Sequence, residues 1–175
     1  MTIKKIGETS ASKKVYTNSE YPGYVIKISK TPMSTKEFNI QNKLAHLGIA
    51  PMLYTHGPKI IIEEKCDTSL TKMLPTLTDK HKKQLKQIVH KMWSAGIIHG
   101  DLKPDNIMYT KSKNRFFITD FETSKVVPRV THKEMLKHQY YLDKVHKVYS
   151  NKKSKHFGKK FGWPTDKTYY DLMFN

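Results

Sequence analysis

The sequence predicts an α+β fold in two unequal lobes: a small antiparallel β-sheet with one helix, followed by a larger, mainly helical part. Three observations predict it. Before residue 65 the chain alternates short apolar runs with Gly and Pro turns and carries a single helical stretch. The best helical period of the chain follows, over Asp79–Ala95. Next comes the octet HGDLKPDN, His99–Asn106, and then a hairpin pattern closing in FFITDFE around Asp120. On this reading residues 1–64 form the first lobe and 65–175 the second, which is short and strongly basic over 123–175.

Each element has a local reason. Lys4–Tyr16 reads as two strands about a polar turn, and Tyr24–Ser29 alternates as a half-buried strand with Lys27 between Ile26 and Ile28. Alternation permits Lys27 to face solvent or the inside of the sheet. Pro32 and Ser34 announce a helix that runs to about Leu47, with Ile40, Leu44 and Leu47 on one stripe. Glu37 is the only carboxylate between Glu20 and Glu63. Ser34-x-x-Glu37 is also a capping-box pattern, so Glu37 has two readings: partner of a lysine, or cap of its own helix. Gly48 and Pro51 end the helix. Met52–His56 and Ile60–Glu64 are the next strands, and Glu63, Glu64, Lys65 and Cys66 read as the crossing between lobes.

A short helix near Ser69–Leu74 precedes the long one, for which Thr78 is the N-cap and Gly96 the stop. Leu85, Ile88, Val89 and Met92 share its apolar face. Ile107–Tyr109 and Phe116–Thr119 pair as a hairpin about Lys111–Asn114, which returns Asp120 to the side of Asn106. Beyond Phe121 the pattern weakens. Lys133–Val148 reads as an amphipathic helix and Thr168–Phe174 as a second short one.

Composition narrows the function classes. A hydrophobic fraction of 37% with 10 Tyr, 7 Phe and 2 Trp supports a core, which argues against wholesale disorder. No run of eighteen apolar residues and no secretory leader pattern is present, and a single cysteine, Cys66, rules out an internal disulfide framework. The expectation is a protein of the cytoplasm or nucleus, not secreted. The formal charge is +17, and from Thr123 onward 12 Lys/Arg face 4 Asp/Glu. The stretch Lys147–Lys160 alone holds six lysines, a pattern for contact with nucleic acid or an acidic protein, or for a solvated face.

The octet and the following aspartate carry the chemistry. Phosphoryl transfer asks a protein for positioning and charge neutralisation more than for covalent work. Asp101 can accept a hydrogen bond from an attacking hydroxyl, Lys103 can sit on the transferred phosphate, and Asn106 and Asp120 offer hard oxygens on adjoining loops. Such oxygens suit magnesium, which keeps several waters and takes one or two protein carboxylates.

At every fixed position His99–Asn106 matches H-x-D-L-x-x-x-N, and the chain therefore resembles the protein kinase-like superfamily over roughly Lys4–Lys125. The resemblance implies a bilobal fold, ATP and Mg2+ as cofactors, and an acceptor protein with a Ser or Thr hydroxyl. It implies catalytic roles for Asp101, Lys103 and Asn106, metal ligation by Asn106 and Asp120, and nucleotide contacts at Gly7, Lys27, Glu37, Glu63, Lys65 and Asp120. In particular it expects Lys27 to pair with Glu37 and to hold the α- and β-phosphates, and the Glu63–Cys66 backbone to meet the adenine edge.

Gly100 in place of arginine is similar to the HGD form of small atypical kinases: the kinase subunit of the tRNA threonylcarbamoylation (KEOPS) complex, the RIO kinases and the aminoglycoside phosphotransferases. Lys103-Pro104 favours the protein kinases among these.

Three departures from the family pattern shape the expectation. The phosphate loop Gly7–Lys13 holds one glycine, Glu122 replaces the glycine of Asp-Phe-Gly, and no Ala-Pro-Glu motif or long activation segment follows. A minimal, constitutively active Ser/Thr kinase of viral or otherwise reduced type accounts for these best. The alternatives are a nucleotide-binding pseudokinase or scaffold, and a small ATPase subunit like that of the tRNA-modification complex.

Overall fold

The computed structural model describes residues 2–10, 13–73 and 76–131. Its first part is a five-stranded antiparallel sheet in the order β1-β2-β3-β5-β4, with β1 Ile3–Ser10, β2 Lys13–Asn18, β3 Tyr21–Ser29, β4 Leu53–His56 and β5 Ile60–Glu64. Consecutive strands joined by short turns give the first three neighbours. β5 then inserts between β3 and β4, and its residues Ile61 and Glu63 are almost fully buried. Register fixes what the cleft face of the sheet presents. Lys13 lies opposite Ser29, Val15 opposite Lys27, and Val25 opposite Glu63. By the two-residue period of a strand, Lys13, Val15, Val25, Lys27, Ile61 and Glu63 share that face.

Helix α1, Thr35–His46, follows β3 and lies beside β4. Ser34 Oγ caps it by accepting from the Glu37 backbone N–H at 3.1 Å. Only half of the expected capping box forms, because the Glu37 carboxylate turns into the cleft instead. At the other end the Gly48 N–H donates to Ala45 O at 2.9 Å and the Ile49 N–H to Leu44 O at 2.8 Å, a Schellman closure that requires the left-handed backbone of Gly48 at φ +69°. The chain then feeds Ile49 into the core, where its carbonyl accepts from the Ile118 N–H at 2.8 Å.

The second part begins with β6 Thr68–Ser69 and α2 Leu70–Met73, and continues with α3, Asp79–Ser94. Thr78 caps α3 in a reciprocal box with His81, and Leu85, Ile88, Val89, Met92 and Trp93 form its buried stripe. A 3-10 turn, Pro104–Asn106, leads into the hairpin β8 Ile107–Thr110 and β9 Arg115–Ile118, which pair residue for residue from Ile107 with Ile118 to Thr110 with Arg115. β6 joins β8 to make a three-stranded sheet. Two short pieces absent from the sequence expectation, β7 Ile97–Ile98 and β10 Lys125–Val126, pair beneath the octet. The helices expected over 133–148 and 168–174, and the lysine-rich stretch, lie outside the described residues.

One hydrophobic core joins the two parts. Ile40 and Leu44 of α1, and Ile49 just beyond it, pack with Leu85 and Met92 of α3, Phe116 and Ile118 of β9, and Phe121. Lys43 adds a polar tie, its ammonium donating to the Ala95 carbonyl at 2.8 Å. The helix that carries Glu37 is thereby fixed to the segment that carries the octet. Among the described residues, no helix is long and apolar enough to cross a membrane.

Candidate active site

A cleft of about 440 Å³ opens between the five-stranded sheet and the hairpin, of the size that takes a small organic ligand. Val15 and Val25 on the sheet side and Met108 of β8 give it apolar walls, while Lys13, Glu37, Asp120 and Asn106 supply charge and hard oxygen. The two loops anticipated from the octet and the hairpin do converge here.

His99 holds them together. Its ring is fully buried; Nε2 donates to the Thr119 carbonyl at 2.9 Å, and Nδ1 accepts from the Asp101 N–H at 3.2 Å. That tautomer is neutral, and burial lowers the ring's pKa from the ordinary histidine value in agreement with it. The His99 carbonyl accepts from the hydroxyls of Thr123 and Ser124, each at 3.0 Å. One histidine thus ties the start of the octet to residues on both sides of Asp120.

Within the octet, Lys103 Nζ lies 2.8 Å from Asp101 Oδ2, and Asn106 Nδ2 donates to the Asp101 carbonyl at 2.8 Å and to its Oδ2 at 3.1 Å. Asp101 is therefore held at its backbone and its carboxylate. Burial pulls the Lys103 ammonium pKa down, but the Asp101 hydrogen bond and charge outweigh this, so the group is raised and stays protonated. Because Asn106 spends its NH₂ on Asp101, its Oδ1 is the atom left for a cation. Asp120 has φ +67°, a left-handed conformation that a residue with a Cβ adopts at a cost of about 1–2 kcal/mol, as residues at functional positions do.

The donor set fits magnesium and a polyphosphate. Asp120 contributes a carboxylate and Asn106 an amide oxygen, a number magnesium accepts because it completes its shell with water and phosphate oxygens. The apolar slot between Val15, Val25 and Met108 fits a flat heteroaromatic ring.

The lysine that meets Glu37 is Lys13, not Lys27. Lys13 Nζ is 2.7 Å from Glu37 Oε1, 3.2 Å from Asp120 Oδ1 and 3.7 Å from Glu122 Oε2. Burial lowers the pKa of this ammonium, but Asp120 and Glu37 more than compensate, and the net direction is up. Lys27 pairs instead with Glu63 Oε1 at 2.5 Å, and Glu63 Oε2 accepts from Gln41 Nε2 at 2.7 Å.

Register explains the correction. The cap at Ser34 keeps Glu37 in the first turn of α1, near the end of β3. Lys13 stands at that end, opposite Ser29, whereas Lys27 is one same-face position deeper, about 7 Å along the strand. Two signals for Lys13 were present in the sequence: its two-residue spacing from Val15, and the Ser34 cap.

Glu63 and Glu64 are the last residues of β5 rather than part of the crossing, which falls on residues 65–67, and the Glu63 side chain faces the cleft. The Lys65 N–H donates to Gly23 O at 2.9 Å, and the Lys65 side chain does not line the cleft. Gly7 lies within β1 opposite Val15. Cys66 does line the cleft, where burial pushes its thiol up to about 12.

A family model for the protein kinase domain matches residues 2–150 of the 175. Among solved structures, the chain is similar to that of the Cydia pomonella granulovirus kinase, PK-1, with a TM-score of 0.52 and 19% identity. The likeness covers 72% of this chain and 53% of that one, so the chain spans about half the length of the viral protein, and at this identity the likeness concerns the fold. No curated protein matches the sequence.

Proposed function

The chain belongs to the protein kinase domain family, and we propose that it is an ATP- and magnesium-dependent kinase that passes the γ-phosphate to a serine or threonine hydroxyl of an acceptor protein. The observation that carries this reading is that Lys103, Asn106 and Asp120 line one cleft, with the Asp101 carboxylate held against Lys103 and Asn106 and the loop stapled by His99.

Asp101 accepts the hydrogen bond of the incoming hydroxyl and takes its proton as the new O–P bond forms and the bond to the β-phosphate oxygen breaks. Lys103, protonated and already beside Asp101, neutralises charge on the phosphate in flight. Magnesium, when bound, offsets charge on the polyphosphate oxygens, and Asp120 with the Asn106 Oδ1 would hold it. Asp101 is oriented by groups of the octet itself, and Gly100 leaves no arginine to receive an activating phosphate. Both features support activity without loop phosphorylation. The formal charge of +17 favours acidic acceptors.

The test is transfer from labelled ATP, with magnesium, to a panel of acidic and basic proteins, followed by phosphoamino-acid analysis. Wild type and Lys153→Ala should transfer label to Ser or Thr, and Asp101→Ala should lose it. Equal transfer by all three, or phosphate release without labelled protein, overturns the reading.

A further inference from the structure

We propose that Lys13, arriving from β2, is the cation that grips the phosphate tail of the nucleotide, and that Lys27 of β3 serves as a structural counter-ion to Glu63. The proposal rests on the nucleotide-binding reading of the cleft and goes beyond it by dividing two lysines between two tasks.

Three observations carry it. The first is position. Lys13 Nζ touches both Glu37 and Asp120, so it stands beside the carboxylate suited to the metal that would bridge the phosphates. A lysine within 3.2 Å of that carboxylate is within reach of the oxygens such a metal carries.

The second is charge balance. Lys27 and Glu63 form a closed, neutral pair, with the second oxygen of Glu63 taken by Gln41 and the residue only 2% exposed. Drawing Lys27 away to a phosphate would leave a buried carboxylate with one neutral partner, which low-dielectric surroundings penalise heavily. Around Lys13 the balance is opposite. The Glu37 and Asp120 carboxylates lie within 3.2 Å of the Lys13 ammonium and Glu122 within 3.7 Å, so this end of the cleft carries carboxylate oxygens beyond what Lys13 alone neutralises.

The third is the stretch that leads from β1 into Lys13. Gly7–Lys13 holds a single glycine, so close approach of backbone N–H groups to phosphate is poorly served over that stretch. A lysine at its end supplies the missing positive charge from a side chain, and Glu122, in place of a small residue, helps hold that lysine in the cleft at 3.7 Å.

The experiment compares equilibrium binding of ATP and of adenosine, both with magnesium, to the full chain and three variants: Lys13→Met, Lys27→Met and Lys27→Met with Glu63→Gln. The readout is the ratio of the two dissociation constants, the gain from the phosphate tail. Adenosine affinity reports an intact cleft, and the double variant removes the stranded Glu63 charge should Lys27→Met fold poorly.

Lys13→Met should lose at least about tenfold of that gain with adenosine binding intact, the size of one charged hydrogen bond, and the double variant should keep it within about threefold. Loss of the gain in the double variant with retention in Lys13→Met overturns the assignment, as does an unchanged ratio in both. A wild type that binds ATP no better than adenosine removes the nucleotide reading and this inference together. Wild type that shows the expected ratios but transfers no phosphate to protein leaves Lys13 in place and removes only the kinase reading.

Discussion

Alanine at Gly100 should destabilise the protein by about 2–4 kcal/mol, a sum of two costs. Gly100 has φ +84°, and a Cβ there would lie 2.7 Å from the Thr123 carbonyl oxygen and 3.0 Å from its Oγ1. The left-handed backbone costs a residue with a Cβ about 1–2 kcal/mol. The approach to a main-chain oxygen cannot be relieved by a rotamer change. Residues 99–101 must move away from 123–124, stretching the two hydroxyl hydrogen bonds to the His99 carbonyl, each worth about 1 kcal/mol.

For a chain of this length the total is a fall in Tm of about 5–15 °C. Gly48→Ala is the calibrated comparison. Its φ is +69°, but its obstacle at 2.9 Å is the Arg115 Nη1, the end of a flexible side chain, so only the backbone cost of about 1–2 kcal/mol should remain. Gly23→Ala, with no atom within 4 Å, should be neutral or slightly stabilising. Urea unfolding followed by tryptophan fluorescence gives all three values. A Gly100→Ala protein as stable as Gly48→Ala would refute the reasoning, because the Thr123 contact would then count for nothing.

Glu37→Gln removes one of the charges that hold Lys13; phosphate transfer should fall about 10–100-fold in kcat/KM while the fold survives on the remaining Asp120 contact, and activity within twofold of wild type would contradict the site. The lowered pKa of His99 makes the folded chain bind fewer protons than the unfolded chain, so stability should be full above the unfolded value of about 6.5 and decline as pH falls from there toward the folded value. His99→Gln should flatten that slope in urea titrations at several pH values, and an identical slope would show that His99 is not its source. The Cys66 thiol, raised from 9.0 to about 12, should react with iodoacetamide at neutral pH about a thousandfold more slowly in the native than in the urea-unfolded chain, and equal rates by mass spectrometry would overturn its burial.

The parts legible in the sequence were those set by short-range chemistry. The hairpin after the octet follows from two apolar runs and a polar turn, and it delivers Asp120 beside Asn106 as expected. Helix α3 follows from its period and the Thr78 cap. Lys27 and Lys13 could not be separated in the same way. Both occupy alternating positions, and the choice between them depends on the pairing of β2 with β3 and on where α1 starts, which are distances across the sheet rather than along the chain. Glu63 was read both as the end of the strand Ile60–Glu64, which holds, and as part of the crossing, which does not, for a related reason. A carboxylate at the end of an apolar run reads as the start of a loop, and only the facing Lys27 and Gln41 make its burial tolerable. β7 and β10 are two residues each, too short for any period to show.

The apolar cluster that α1 shares with α3, β9 and Phe121 has a mechanical consequence. Swinging α1 outward would drag Leu44 and Ile49 into water, forfeiting about 3–6 kcal/mol of burial before any polar contact is counted. Glu37, the carboxylate that meets Lys13, is thus carried on an element whose displacement would expose buried side chains.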